Sequence, residues 1–243
     1  MNTSHMMDCV HPQWRDILNI ALQTMDVGYL QSLSTDKHYL PVFKSLFAAF
    51  SLPLDSVRYI LLGESPYPRL ESANGYAFWD GAVGSLWSPK GLSKDVNRAT
   101  SLRNLMKMLL VARGDLQDNC SQDAIAGLDK SRYVETASDL FMAFIQQGFL
   151  LLNASLVYSE GKVPYHARQW RPFMHSLLVQ LSDYNPSLQL ILFGKIAAQI
   201  PEASLFTGLI AEHPYNISFI TNPAVIHFFK PLDLLKYRKD KLL

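Results

Sequence analysis

The sequence contains little cysteine, few charged residues and no long apolar run. Cys9 and Cys120 are the only cysteines among 243 residues, too few for a disulfide framework or a set of zinc ligands. Charged residues make up 18%, which argues against a long disordered segment. No apolar stretch approaches the length of a membrane span, and residues 1–14 lack the pattern of a secretory signal. We therefore expect a soluble, cytoplasmic protein without a metal or other cofactor.

Strong net charge is also absent. The formal charge is +1, so the chain as a whole is not a polycation, although a local basic patch would suffice to contact nucleic acid. The apolar fraction of 49% is enough for one substantial core. Neither an internal repeat nor a low-complexity tract occurs, and we predict a single domain over 1–243.

Short aliphatic runs alternate with segments of helical periodicity. Strands are predicted at 57–62, 149–152, 188–193 and 209–211, and helices near 13–24, 39–50, 102–111, 134–147 and 170–183. The segment 79–93 is rich in Gly, Ser, Trp and Pro and predicts a long loop, and the polar segment 115–130 predicts a surface insertion. The alternation favours an α/β fold of three layers, α/β/α, with a four-stranded, mainly parallel central sheet.

Polar or special residues follow each predicted strand. They are Glu64, Ser65 and Tyr67 after the first, Asn153 after the second, Gly194 and Lys195 after the third, and His213 after the fourth. Parallel strands bring their carboxyl ends to one edge, where sites lie in open α/β sheets. Asn153 offers a donor and an acceptor to a heterocycle edge, although an amide that holds a turn is the structural alternative. His213 taken alone is also compatible with a structural role.

Six segments, taken in order, resemble the motifs of one enzyme family. They are Gly63-Glu64-Ser65-Pro66-Tyr67-Pro68, Gly75-Tyr76-Ala77-Phe78-Trp79, Thr100-Ser101-Leu102-Arg103-Asn104, Leu150-Leu151-Leu152-Asn153, Gly194-Lys195-Ile196-Ala197-Ala198-Gln199 and His213-Pro214-Tyr215-Asn216-Ile217-Ser218. This set resembles the uracil-DNA glycosylase superfamily, and within it family 1, whose first motif is Gly-Gln-Asp-Pro-Tyr-His. The similarity runs from about residue 39 to residue 236.

The resemblance implies base flipping, in which the target nucleotide leaves the duplex and enters a pocket. By that resemblance, Phe78 stacks on the flipped base and Asn153 binds its Watson–Crick edge. Tyr67 closes the pocket beside the pyrimidine C5 position and excludes thymine. His213 stabilises the negative charge that develops on the base O2 as the glycosidic bond breaks.

The resemblance also implies contacts to DNA outside the base. Ile217 is the apolar wedge that fills the vacated stack, and Ser101 and Ser218 hold flanking phosphates. Lys195 and Tyr215 stand where the family has further serines of its DNA-binding loops. Ordinary alternatives remain, since Phe78 and Ile217 are compatible with plain core or loop positions and Ser101 with a helix N-cap.

The first motif departs from the family. Ser65 replaces the catalytic Asp that orients the attacking water and balances the charge of the sugar cation, and Pro68 replaces a His. Glu64 stands in place of Gln, and family 4 glycosylases of the superfamily also carry Gly-Glu here, so Glu64 is a candidate for the missing carboxylate. Relative to the family, insertions lie near 79–99 and 115–130.

The sequence therefore predicts a monomeric, monofunctional DNA glycosylase that hydrolyses the N-glycosidic bond of a flipped pyrimidine and leaves an abasic site. The rebuilt first motif leaves activity on plain uracil open. One alternative is a glycosylase for a bulky modified cytosine in phage DNA, with a role in antiviral defence. The other is a catalytically inactive protein that binds DNA, which the loss of the Asp at Ser65 motivates.

Overall fold

A four-stranded parallel sheet is the central element of the fold, in a computed structural model that describes residues 6–36, 38–117 and 119–236. The strands in chain order are β1 (Tyr59–Gly63), β2 (Trp87–Ser88), β3 (Gly91–Leu92), β4 (Phe149–Asn153), β5 (Gln189–Phe193) and β6 (Thr207–Ala211). The central sheet has the order β4-β1-β5-β6, and β2 and β3 form a separate antiparallel pair. Helices flank the central sheet, so the predicted α/β fold is confirmed.

Eight α-helices lie within the described residues. In chain order they are α1 (Arg15–Gln23), α2 (Val27–Thr35), α3 (Lys94–Arg98), α4 (Thr100–Arg113), α5 (Gln122–Ala126), α6 (Ala137–Gln146), α7 (Val163–Tyr184) and α8 (Pro223–Phe229). Short 3₁₀ helices, among them Pro201–Leu205 and Ile217–Thr221, join them. The pattern of apolar residues predicted α1, α4, α6 and α7, but it missed α2, α3, α5 and α8.

The chain divides into two compact units. The first comprises the described residues up to Asp80 together with Gly148–Leu192 and Ile196–Gly208. The second comprises Gly81–Gln147, Phe193–Lys195 and the described residues from Leu209 onward. The prediction of one domain over 1–243 stays a prediction.

Buried aromatic rings form the core of the first unit. Trp170 of α7 packs edge to face on Phe47 and Phe173, with ring centroids 6.3 and 5.2 Å apart. Trp14 packs in the same way on Phe50, at 5.0 Å, and donates a hydrogen bond from Nε1 to the carbonyl of Leu52. These fully buried rings, together with the packing of α1 on α7, hold α7 in this core.

In the second unit, the two predicted insertions contact each other. The backbone N–H of Leu92 in the β2–β3 hairpin donates to Oε1 of Gln122 on α5, at 3.0 Å. At Gly91, with a φ of +112°, a Cβ atom would lie 2.6 Å from the carbonyl oxygen of Gln122. Trp87 Nε1 donates to the carbonyl of Val134 at 2.7 Å. The predicted loop 79–93 and the insertion 115–130 thus contain ordered elements.

One predicted helix is wrong. The segment 39–50 forms no α-helix but two 3₁₀ helices, Phe43–Ser45 and Ala48–Ser51, and the backbone of Phe50 leaves the helical region. Apolar residues that recur every three or four positions suit a 3₁₀ turn as well as an α-helix, and tertiary packing of the buried Leu46 and Phe47 decides between them.

Candidate active site

The turns that follow β1 and β4 are joined by backbone hydrogen bonds in the first unit. Gly63 and Asn153 are register partners at the carboxyl ends of the two strands. The carbonyl of Gly63 accepts from the N–H of Ala154 at 2.8 Å, and the carbonyl of Glu64 accepts from Ser155 at 3.1 Å. The side chain of Glu64 is exposed and Ser65 is half-buried. Parallel pairing therefore fixes the predicted residues of both strand ends relative to each other.

Asn153 is a buried residue whose side-chain amide keeps some contact with solvent, since its atoms are not among the fully enclosed unpaired atoms of the described chain. The residue is only 4% exposed, yet no described residue forms a hydrogen bond with its side chain. Buried amides in folded proteins almost always have partners, because an unmade hydrogen bond costs about 1–3 kcal/mol. Asn153 is thus a donor and acceptor pair that is available to a ligand.

Phe78 has a strained backbone beside the same amide. Its φ is +63°, an unusual value for an aromatic residue. The preceding residue, Ala77, donates its N–H to the carbonyl of Leu151 at 3.0 Å, which ties this segment to β4. A Cβ on Gly63 would lie 3.6 Å from Cε2 of Phe78 and 2.6 Å from Oδ1 of Asn153. Because Gly63 has no side chain, the space beside the Phe78 ring and the Asn153 amide stays open.

Tyr67 is held against the Phe78 segment. Its hydroxyl donates to the carbonyl oxygen of Phe78 at 3.2 Å. Burial, reinforced by the negative charge of Asp80, raises the pKa of Tyr67 to about 12, so the hydroxyl stays protonated at neutral pH. Arg69 Nη2 lies 3.1 Å from Asp80 Oδ2, and this ion pair joins the two ends of the segment 69–80. The structure thus brings together Asn153, Phe78 and Tyr67, the three residues predicted to bind the base.

A cavity of about 220 Å³ adjoins Glu64 and Ser65. Its remaining walls come from the turn after β4, from α7 and from the segment that follows β5. The lining residues there are Ala154, Ser155, Val163, Ala167, Arg171, Met174, His175, Gln199, Ile200, Pro201 and Glu202. His175 Nδ1 and Glu202 Oε1 lie 2.5 Å apart. Sequence reasoning missed this pair, because its members are 27 residues apart and follow no motif.

His213 follows β6 and belongs to the second unit. The backbone N–H of Tyr215 donates to His213 Nδ1 at 3.1 Å, so the neutral imidazole carries its proton on Nε2. Gly194 lies directly against this histidine, because a Cβ there would come within 2.9 Å of the Cβ of His213. The φ of +77° at Gly194 also favours glycine. The local structure therefore makes the neutral ring a hydrogen-bond donor through Nε2.

The segment that follows His213 exposes apolar side chains. Ile217 is 81% exposed and Tyr215 is 68% exposed. The buried Asn104 of α4 anchors this loop, since its Nδ2 donates to the carbonyl of Pro214 at 2.7 Å and approaches the next two carbonyls at 3.3 and 3.4 Å. Sequence reasoning did not assign Asn104 this role, although one amide among buried Leu and Met residues of a helix was a usable signal.

The other residues predicted to bind DNA also lie in the second unit. Ser101 is in the first turn of α4, whose N-cap is Ala99, so the N-cap alternative for Ser101 is wrong. Ala99 offers no side-chain acceptor to the first N–H groups of this helix. Lys195 and Ser218 are both exposed.

The described residues include no group of three or more His, Cys, Asp or Glu side chains that is arranged to hold a metal ion. Across the same residues, no helix combines the length and apolarity needed to cross a membrane.

Comparisons with known proteins agree on one family. The chain is 44% identical to the wild-type UNG crystal structure from Nitratifractor salsuginis, with a TM-score of 0.92 and 97% of each chain covered. It is 31% identical over 200 residues to the uracil-DNA glycosylase of Dichelobacter nodosus, covering 80% of this chain and 75% of the relative. The mimivirus uracil-DNA glycosylase structure, at 19% identity and a TM-score of 0.56 over 86% of this chain and 71% of that one, shares the fold. No protein-family model matches the chain.

Proposed function

Because the chain belongs to the uracil-DNA glycosylase family, and is thus a DNA glycosylase that hydrolyses N-glycosyl bonds, we propose that its substrate is a flipped pyrimidine, with uracil the first candidate. The product is an abasic site in DNA. The protein acts as a monomer in this proposal. The observation that carries it is the amide of the buried residue Asn153 beside the ring of Phe78, where Gly63 leaves room.

Recognition of the base rests on three residues of the first unit. The Asn153 amide supplies one donor and one acceptor to the Watson–Crick edge of a pyrimidine. The ring of Phe78, held by a strained backbone, offers a face for stacking. Tyr67, which is fixed on the Phe78 carbonyl, blocks a substituent at C5. A buried amide gives strong discrimination, because a base with the wrong edge leaves it unpaired.

Departure of the base depends on His213. As the glycosidic bond breaks, negative charge develops on the base O2, and a hydrogen-bond donor at that oxygen stabilises the charge. The hydrogen bond from Tyr215 to Nδ1 leaves the imidazole N–H on Nε2. A neutral imidazole therefore serves as an electrostatic stabiliser and keeps its proton.

The sugar becomes cationic in the transition state, and Ser65 cannot balance that charge. We assign this role to Glu64, the neighbouring carboxylate at the end of β1. An anion stabilises such a cation strongly where water is excluded. Because the Glu64 side chain is exposed, bound DNA must cover it for the effect to reach full strength.

Contacts with DNA outside the base come from exposed residues of the second unit. Ile217 supplies the wedge that fills the vacated stack, and Tyr215 adds an aromatic face in the same loop. Ser101, at an end of α4 that has no side-chain cap, and the exposed Lys195 and Ser218 bind phosphates.

Ser65 and Pro68 depart from the family's first motif, and this favours a test of a second substrate, a bulky modified cytosine. An enzyme that acts on such a base in phage DNA would serve in antiviral defence. The test is incubation with duplexes that contain uracil, thymine, cytosine or modified cytosines, followed by alkaline cleavage at abasic sites. We expect cleavage at one pyrimidine class, with Asn153→Ala reducing both its rate and its selectivity. Binding of Asn153→Ala to abasic DNA should equal that of the wild type, since no base is present. Absence of cleavage with every duplex would favour the inactive DNA-binding alternative.

A further inference from the structure

The cavity beside Ser65 contains a histidine–carboxylate pair for which the site described above has no use. We propose that this cavity holds the water that attacks the sugar and that His175, oriented by Glu202, is the general base for that water. The inference rests on the proposed function, because it assigns a residue to the hydrolysis of the same N-glycosidic bond. It concerns the transfer of the proton, whereas Glu64 was assigned the balancing of charge.

The position of the water follows from the family resemblance at residue 65. The family's Asp at this position orients the attacking water, and here a shorter, neutral Ser65 takes its place. Ser65 lines the cavity, and so does His175, so a water beside Ser65 shares this open cavity with the imidazole. A water site needs polar partners and room, and a cavity of about 220 Å³ has room for water.

The geometry of the pair fits a general base. His175 lies on α7 and Glu202 on the 3₁₀ helix Pro201–Leu205, and the distance of 2.5 Å joins His175 Nδ1 to Glu202 Oε1. The Glu202 side chain is 11% exposed and so has little freedom, whereas the His175 side chain is 64% exposed. When Nδ1 donates to the carboxylate, Nε2 is the atom that accepts a proton, and the carboxylate stabilises the imidazolium that forms.

The proposed step balances in atoms and charge. The C1′–N bond breaks, and its electron pair leaves with the base as an anion, which His213 stabilises. A lone pair of the water oxygen forms the new C1′–O bond, and one water proton moves to Nε2 of His175, directly or through one further water. The exposed imidazolium then releases this proton to solvent, while the departed base takes one up.

The charged groups that share the cavity with His175 are Glu64, Arg171 and Glu202. A protonated imidazole cannot accept a proton, so hydrolysis that uses His175 as its base slows when the pH is lowered. This acidic limb of the pH–rate profile separates a general base from a residue that only supports the fold.

The test is single-turnover excision by His175→Gln on the substrate found with the duplex panel. We expect a loss of about 10²-fold near neutral pH, a flattened acidic limb and unchanged affinity for abasic DNA. Added imidazole should restore part of the rate in His175→Ala. The matched control is His38→Gln, because His38 pairs with Asp36 in the same way, at 2.9 Å, but does not line the cavity.

Two further results keep this inference separate from the proposed function. Glu202→Gln should lose less rate than His175→Gln and should retain the acidic limb, since it only orients the base. If His175→Gln excises the base at the wild-type rate and with the wild-type pH profile, His175 is not the base. The glycosylase function would still stand. A wild-type protein that cleaves no duplex in the panel would instead contradict the proposed function.

Discussion

Gly63 and Asn153 lie side by side at the ends of β1 and β4, so closely that a Cβ on residue 63 would be 2.6 Å from the amide Oδ1 of residue 153. Real Cβ atoms do not approach an oxygen that closely, so the amide must move if the glycine is replaced. The hydrogen-bonding edge of Asn153 therefore depends on the absence of a side chain on the neighbouring strand.

We expect Gly63→Ala to lower the single-turnover rate of excision on the order of 10- to 100-fold, because a displaced recognition group no longer aligns the base. The control is Gly84→Ala, since a Cβ at Gly84 meets nothing within 4 Å. Circular dichroism and binding to abasic DNA should remain at wild-type levels in both variants. Equal excision rates in the two variants would show that the Asn153 edge does not limit the reaction.

His213→Ala should reduce turnover by roughly 10²–10³-fold, the usual effect of removing a donor to a developing oxyanion. The physical reason is the fixed Nε2–H, which the Tyr215 N–H secures through Nδ1. Affinity for abasic DNA should change little. Rapid-quench measurement of the chemical step gives the comparison, and a variant that matches the wild-type rate would remove His213 from the mechanism.

The role of the Glu64 carboxylate at the end of β1 can be tested by substitutions at Glu64 and at the adjacent Ser65. If Glu64 balances the sugar cation, Glu64→Gln should abolish excision and retain DNA binding, because an amide carries no charge. Ser65→Asp should raise uracil excision by restoring the charge of the family motif. Full activity of Glu64→Gln would exclude Glu64 as the stabilising anion.

Stability should decrease at acidic pH through His166. Burial lowers the pKa of His166 from its ordinary value of 6.5, and the positive charge of Lys162 adds to this effect. Below that ordinary value the unfolded chain binds a proton that the folded protein resists, so the free energy of unfolding falls as pH decreases. Nδ1 of His166 contacts the Tyr29 hydroxyl at 2.8 Å, and its buried Nε2 has no partner within the described chain.

We therefore expect His166→Leu to flatten the dependence of unfolding free energy on pH between about pH 8 and about pH 5. Urea denaturation across this range gives the measurement. His227→Leu, at an exposed position on α8, is the control and should follow the wild-type curve. A His166→Leu curve parallel to the wild type would mean that this histidine does not contribute to acid sensitivity.

The sequence by itself determined the sheet and most of the residues at its edge. Runs such as 59–63 and 149–153 are apolar because they are buried on both faces, and this is a local signal that needs no knowledge of neighbouring strands. The polar residues that end these runs, Glu64 and Asn153, could therefore be assigned to the carboxyl edge from the order of residues alone.

Only the tertiary structure decided which side chains meet. His175 and Glu202 are adjacent because α7 and the 3₁₀ helix Pro201–Leu205 pack together, and Asn104 anchors the loop at Pro214 across 110 residues of sequence. The periodicity of apolar residues predicts which face of an element is buried but not which element covers it. Contacts between residues far apart in sequence therefore cannot be predicted from it. The helix predicted over 39–50 was wrong for the same reason, since packing selected 3₁₀ turns from a pattern that suits both.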